Sequence, residues 1–589
     1  MSDIVPFFLL AAGIVFITAL GAGIFVWTLA AVAVLWSGVY LFYAYRAAQQ
    51  APVSPTCHKR LSGPLPPCLA IVFFLVATLV PLPLHLSAPA NSQRRSQNSQ
   101  VLEMIAEARK VAPDAVSATS WFALTRNRAG TMRMLLLIVA ALAAAALASA
   151  LSPRLAHGYL RFLIILGATV AFLGYLGKWR IPQGNTLWWY IPIPRVLPGP
   201  MGGFINRNHF AGFIAMLGPV ALALCAEDAR RRFWLGVLLS AVCFGIMAFG
   251  VLASLSRGGF VAMLAGVSVA SLVYAGQRRF FAALGVTSLA AVIIAAVILK
   301  FSPEVRQRLG TLREIQKTDS FKKRTQIWHD TLKIWRAYPL VGAGANAFRA
   351  VYPQFRSTSA REFSINASNE YIQLAAEGGL IGCLLAVWTA AALIITACRH
   401  STLDTYSRRL LNLATAGALA AAAAHAFMDF ALRVPLYALV LASLIGLRLG
   451  SGSPLPGFLL PHPRAAGVCL GLALALMPAW RDLRAMDSPD ELRKADLRTL
   501  SHALVWTPTF WPAWYNFGRR LALEVGAPAQ TLAAHCATRA ALYDPNNYRL
   551  WLALGHFRLA IGDYRGAREA FQKVRKLRSW VEIPDVPDD

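Results

Sequence analysis

Ile365–Gly382 reads INASNEYIQLAAEGGLIG, small and polar around Asn366, Ser368 and Asn369 and then almost wholly apolar. Such a junction marks the mouth of a membrane helix, and two physical readings of it stand open. Asn and Ser are strong N-caps whose side chains satisfy the free backbone donors of a first helical turn. The same helix start, placed near arginines, also suits an anion.

The rest of the chain supports the membrane reading. Hydrophobic residues fill 57% of 589 positions and charged residues 14%, which predicts a polytopic membrane protein. Apolar runs that can cross a hydrocarbon layer about 30 Å thick begin with Val5–Leu20, Gly23–Tyr43, Pro67–Leu86 and Met132–Leu151. Tyr159–Gly177, Phe210–Cys225, Phe233–Leu255, Phe260–Gly276 and Phe281–Leu299 follow. Gly379–Cys398, Leu411–Phe427, Val434–Leu447 and Ala465–Pro478 complete an all-α fold of about thirteen spans. Basic clusters such as Arg46 with Lys59 and Arg60, Arg230–Arg232, Arg278 with Arg279, and Arg408 with Arg409 follow every second span. Loops rich in Lys and Arg stay in the cytoplasm. The long segments Ser87–Thr131, Lys178–His209, Lys300–Glu377 and Arg481–Asp589 are then expected on the extracytoplasmic face.

The net charge is +29, from 57 Lys and Arg against 28 Asp and Glu, but it is divided between loops on both sides of the membrane. That distribution argues against a nucleic-acid surface and for a diphosphate or anionic lipid as partner. The eight cysteines show neither a disulfide framework nor zinc spacing, and no metal or cofactor motif appears. VGAGANAF, Val341–Phe348, lacks the third glycine and the preceding strand of a dinucleotide loop, so it reads as a turn. The first span lacks a small-residue cleavage signature after a basic start and is expected to be retained.

From Arg481 the chain turns polar. In Pro545–Leu577, Trp551, Leu554 and Gly555 fall on one helix, Gly562, Asp563 and Tyr564 on a turn, and Ala567, Ala570 and Phe571 on a second helix. A preceding block with Trp514, Phe517, Gly518, Leu521 and Ala540 looks like a degenerate copy. The pattern resembles a tetratricopeptide repeat, a fold that binds or positions protein partners. The expected division is residues 1–131 for the first membrane helices and outer loop, 132–450 for a membrane core that includes the outer loop 300–377, 451–480 for a last membrane helix, and 481–589 for the repeat domain.

Three places at the outer ends of spans carry charge that chemistry could use. LASLSRGG, Leu252–Gly259, sets Arg257 between two apolar helices. FKKRTQIWHDTLKIWRAYPLVGAG, Phe321–Gly344, is an amphipathic helix with Arg324 near its start. The third place is the polar stretch itself.

Together with GFINRNHFAGFIAM, Gly203–Met216, and HAFMDFALRVPLYAL, His425–Leu439, these ordered elements resemble the O-antigen ligase and O-antigen polymerase superfamily. Its members are polytopic bacterial glycosyltransferases of GT-C type. The resemblance runs from about Met134 to Leu447. It implies transfer of a glycan from undecaprenyl diphosphate to an acceptor hydroxyl in surface polysaccharide assembly, outside the inner membrane, without metal or nucleotide. Arg257 and Arg324 match the family's diphosphate positions. The family places a His before the Asn of its His-Asn-Glu/Asp-Tyr motif, whereas here Ser368 precedes Asn369 and Glu370. Serine cannot take a proton as imidazole does. His209, His329 or Glu370 are therefore the candidate substitute bases, with His209 foremost because NRNHF sets it at an outer helix start. The acceptor is open between another lipid-linked repeat, a lipid core and a protein hydroxyl. A catalytically silent scaffold and a lipid-linked glycan transporter are the competing readings.

Overall fold

The computed structural model describes residues 4–20, 28–39, 65–83, 91–116, 121–180, 186–187, 191–192, 200–275, 319–357, 364–398, 405–450 and 489–587. Within them the chain is an all-α polytopic membrane protein. The helices are α1 (Ile4–Ala19), α2 (Thr28–Val39), α3 (Leu65–Leu79), α4 (Ser92–Val111), α5 (Arg128–Ser149), α6 (Pro153–Arg180) and α7 (Arg207–Arg230). They continue with α8 (Trp234–Ala253), α9 (Arg257–Ala275), α10 (Asp319–Ala337), α11 (Phe348–Phe355), α12 (Glu370–Cys398), α13 (Thr405–Ala426) and α14 (Pro435–Gly450). Beyond them lie α15 (Pro489–Lys494), α16 (Leu497–Trp506), α17 (Trp511–Glu524), α18 (Gln530–Tyr543), α19 (Tyr548–Ala560) and α20 (Tyr564–Leu577). The spans expected at Phe281–Leu299 and Ala465–Pro478 lie outside the described residues.

Among the described residues six helices, α5 to α9 and α12, are long and apolar enough to cross a membrane. Their apolar character runs all round the helix, as a bilayer requires. On α12 the outer face shows Leu384, Val387, Trp388 and Ile394 exposed, and on α8 Trp234, Leu235 and Leu238. Large apolar faces of this kind suit lipid. Inside the bundle α7 is enclosed by α8, α9 and α13, and α14 runs along the alanine-rich α5. Small side chains permit that close backbone approach, which stands in for the hydrophobic effect between membrane helices.

At one end of the bundle the polar segments pack together. Helix α4 opens with SQRRSQNSQ, yet Arg94, Gln97 and Asn98 are buried. Asn91 caps it by accepting from the Arg94 N–H at 2.8 Å. Arg94 donates to the Gly342 carbonyl at 2.5 Å, Gln97 meets the Tyr338 hydroxyl at 2.9 Å, and Arg126 donates to Asn98 Oδ1 at 2.7 Å. The polar face of α4 thus holds the loop after α10. Its other face shares an apolar core with α16 to α19, through Val101, Met104 and Ile105 against Leu500, Leu504, Phe517 and Leu550.

The C-terminal helices form two successive hairpins, α17 with α18 and α19 with α20. Each opens with a tryptophan indole N–H donating to the carbonyl of the proline six residues before it, Trp514 to Pro508 and Trp551 to Pro545, both at 2.8 Å. A buried ion pair, Arg356 with Asp544, fixes this region to the segment after α11, and Asn546 Nδ2 donates to the Arg356 carbonyl at 2.9 Å. Burial raises the Asp544 pKa above the ordinary carboxylate value, and the Arg356 guanidinium opposes that shift without cancelling it.

Candidate active site

Four helix ends meet where the bundle joins its polar end. Helix α7 begins at Asn206, whose Oδ1 accepts the Asn208 N–H at 2.9 Å, so His209 falls in its first turn and is 8% exposed. Helix α9 begins where Ser256 Oγ accepts the Gly259 N–H at 3.2 Å, which makes Arg257 its first residue. Helix α10 lies across these starts. Its Trp328 indole donates to the Ala367 carbonyl at 3.0 Å, and Arg324 donates to the Met428 carbonyl. The fourth component is the turn His425–Val434 between α13 and α14.

The buried carboxylate in that turn is the centre of the cluster. Asp429 is 2% exposed, with Oδ1 3.4 Å from His209 Nε2 and Oδ2 3.9 Å from His425 Nε2. Oδ1 also accepts the Phe430 N–H at 2.9 Å. Burial pushes the acid upward, but His209, His425 and the Phe430 N–H outweigh it and hold the Asp429 pKa at about 2. The His209 ring stands edge-on to Phe430 with centroids 4.5 Å apart. Two glycines make this approach possible. A Cβ on Gly212 would lie 2.5 Å from the His425 ring, and one on Gly258 would press on Met428 at 3.3 Å.

The two arginines are close enough to couple electrostatically, and Arg324 couples to Asp429 as well. Burial pulls the Arg324 pKa below its ordinary value, Asp429 works against that, and Arg257 adds repulsion. Two guanidinium groups this close favour an anion between them, and Arg presents the planar fork that phosphate oxygens accept. Among the described residues no three His, Cys, Asp or Glu side chains are grouped to hold a metal ion.

Beside this pocket the opening polar stretch closes on itself. Asn369 Oδ1 accepts the Tyr371 and Ile372 N–H groups at 3.0 and 3.2 Å, an N-cap of α12. Gln373 accepts the Ala367 N–H at 2.9 Å and donates to Asn366 Oδ1 and Glu377 Oε1 at 2.8 and 3.0 Å. Arg433 bridges Glu370 at 3.0 Å and Glu377 at 2.8 Å. Burial alone would lower the Arg433 pKa, and the two carboxylates raise it instead. Ser368 precedes the cap in the left-handed region, at φ 53°.

VGAGANAF is indeed a turn, and it plugs a break in α12. Gly379 leaves helical geometry at φ 61°, ψ −162°, which frees backbone groups around it. The loop supplies their partners. Ala343 and Gly344 N–H donate to the Ala376 and Glu377 carbonyls, both at 2.9 Å, and Leu380 N–H donates to the Pro339 carbonyl at 2.8 Å. Glu377 then accepts the Asn346 and Phe348 N–H groups at 2.8 and 3.1 Å. A Cβ on Gly342 would sit 2.2 Å from the Glu377 backbone, so no other residue fits there.

Of the residues marked from sequence, His209, Arg257 and Arg324 come together around Met428 and Asp429. Glu370 faces Arg433, Asn369 caps a helix, and Ser368 shapes the turn before it. His329 points away from the pocket, with its side chain 65% exposed beside Asp330. The sequence reading gave no role to His425, Asp429 or Arg433. Their signal was present in HAFMDFALRVP, where a His and an Asp four apart and then an Arg interrupt an apolar run.

Residues 242–387 match the family model described as O-antigen ligase. Over that segment, about a quarter of the 589 residues, the chain is similar to this family. The matched segment contains Arg257, Arg324 and the whole α12 start, while His209, His425 and Asp429 lie outside it. The family supports a membrane glycosyltransferase role in polysaccharide assembly. No curated protein matches the chain.

Proposed function

We propose that this protein transfers a glycan from a polyprenyl-diphosphate-linked donor, of undecaprenyl type, to an acceptor hydroxyl. The observation that carries the reading is the coupling of Arg257 and Arg324 beside the His209–Asp429–His425 cluster. The acceptor oxygen attacks the anomeric carbon of the donor's reducing-end sugar, the bond from that carbon to the diphosphate oxygen breaks, and lipid diphosphate leaves. His209 accepts the hydroxyl proton as general base, a role for which imidazole is suited near neutrality. Asp429 orients the ring and stabilises the imidazolium that forms. Arg257 and Arg324 receive the diphosphate charge as it develops, and each charge-assisted contact contributes about 1.5–3 kcal/mol.

In this reading Ser368 needs no imidazole, because the base comes from α7. The pocket and the C-terminal hairpins face the outside of the inner membrane. Residues 481–589 act as a tetratricopeptide-like domain held beside the pocket by Arg356 and Asp544. The test is transfer by the purified full chain from a lipid-diphosphate-linked oligosaccharide. Wild-type protein should release lipid diphosphate and extend an acceptor, and His209→Ala should not. Undiminished transfer by that variant, at equal amounts of folded protein, removes the mechanism.

A further inference from the structure

The C-terminal hairpins enclose a groove of about 600 Å³ away from the pocket. Its walls are the start of α17, the start of α19 and the residues just after α20. Three features of its chemistry point to one class of ligand.

Aromatic side chains come first. Trp511, Tyr515, Tyr548 and Trp580 line the groove, and Trp580 is 66% exposed. Tyr548 and Trp580 meet edge to face at 6.3 Å, and the Arg549 guanidinium lies 5.9 Å over the Tyr548 ring, which puts an aromatic body and a cation side by side. Such rings offer a flat apolar body with a polar rim. Amides come second. Asn516, Asn546 and Asn547 reach the groove, and Asn516 is 4% exposed. Its Nδ2 donates to the Pro512 carbonyl at 2.8 Å, but its buried Oδ1 has no hydrogen-bond partner. A buried acceptor left unmet destabilises the fold, and a ligand donor would remove that cost. Charge comes third. Arg493, Arg549 and Arg578 line the groove, and among the described lining residues there is no Asp or Glu.

A pyranose ring has a C–H face that lies on an aromatic plane and hydroxyls that donate to amide oxygens. A sugar carboxylate takes the guanidinium fork. A peptide segment would instead call for aliphatic side-chain pockets, and among the described lining residues Pro512, Leu550 and Leu577 are the only aliphatic ones. We infer that this groove binds an acidic oligosaccharide, a carboxylated stretch of the glycan handled by the same protein. The link to that glycan rests on the proposed transfer reaction, whereas the binding itself does not.

The test is calorimetric titration of the full chain in detergent with oligogalacturonate, with the same oligomer methyl-esterified, and with oligoglutamate of equal length. The acidic sugar should bind, and its neutral ester should bind about tenfold more weakly, the effect of one lost charge-assisted contact. Arg549→Ala and Trp580→Ala, both at exposed positions, should weaken binding by a similar factor with no change in Tm. Oligoglutamate binding as tight as the sugar, ester binding equal to the acid, binding unaffected by either variant, or no binding by any probe each overturns the inference. His209→Ala should leave this titration unchanged, so a failed transfer mechanism and a failed groove give different results.

Discussion

Two polar neighbourhoods lie side by side at one end of the bundle, and their chemistry differs. At the start of α12, Asn366, Asn369, Glu370, Gln373 and Glu377 mostly answer one another, the backbone and Arg433, with Glu370 Oε1 left without a hydrogen-bond partner. Around Asp429, two histidines stand at 3.4 and 3.9 Å, and two arginines repel each other. Buried polar groups that satisfy one another hold a shape. Arg257 and Arg324, half-buried beside Asp429, bring like charges together at a cost that an anion can repay. Substitutions should therefore divide into those that remove transfer while Tm is kept and those that lower Tm while the remaining folded protein still works.

The largest effect should come from His209→Ala, a loss of about 10²–10⁴ in transfer with little change in Tm, measured as lipid diphosphate released per folded molecule. A Tm fall that accounts for the whole loss would erase the distinction between the neighbourhoods. Arg324→Ala and Arg257→Ala should each lower transfer by about tenfold to a hundredfold. Arg→Lys should restore part of it, because Lys keeps the charge but not the fork.

Gly379→Ala tests the other side. A side chain at φ 61° with its Cβ 2.4 Å from the Gly342 nitrogen should cost at least about 1–3 kcal/mol, visible in thermal unfolding. Loss of transfer without loss of stability would mean that the plug belongs to the chemistry. Asp429 supplies a pH test. Its folded pKa of about 2 lies below the ordinary 3.8, so its contribution is full above about pH 4 and is lost as pH falls through 2. That contribution is about 2 kcal/mol, and the Tm of Asp429→Asn should fall less than that of wild type between pH 5 and pH 2. Ser368→Gly should have the smallest effect. Relief of the left-handed strain and the added chain entropy nearly cancel, leaving less than about 1 kcal/mol and transfer within about twofold.

The helices were legible because apolar runs are local. So were Arg257, Arg324 and His209, since each stands at the end of such a run, where a polar residue is conspicuous. Asp429 and His425 were not, because their significance depends on which helix ends the fold brings to them. The first turns of α4 were opaque for a related reason. SQRRSQNSQ carries no apolar period, and its helix is held by Gly342, Tyr338 and Arg126 far along the chain. Asn369 caps α12, and the two arginines stand near the starts of α9 and α10.

The plug in α12 also carries information about time. Residues 339–348 bond to residues 376–381 of the same stretch of chain, so this unit can close soon after both are made. The pocket joins residue 209 to residue 429, and contacts so distant in sequence carry a high loop-closure entropy and form late. The order of assembly is then fixed by topology. Loop-closure entropy alone therefore places the plug's bonds to α12 ahead of the charge cluster, which needs α13 folded back against α7, while the bonds that Arg94 and Asn127 make to the plug carry a closure as long as the cluster's.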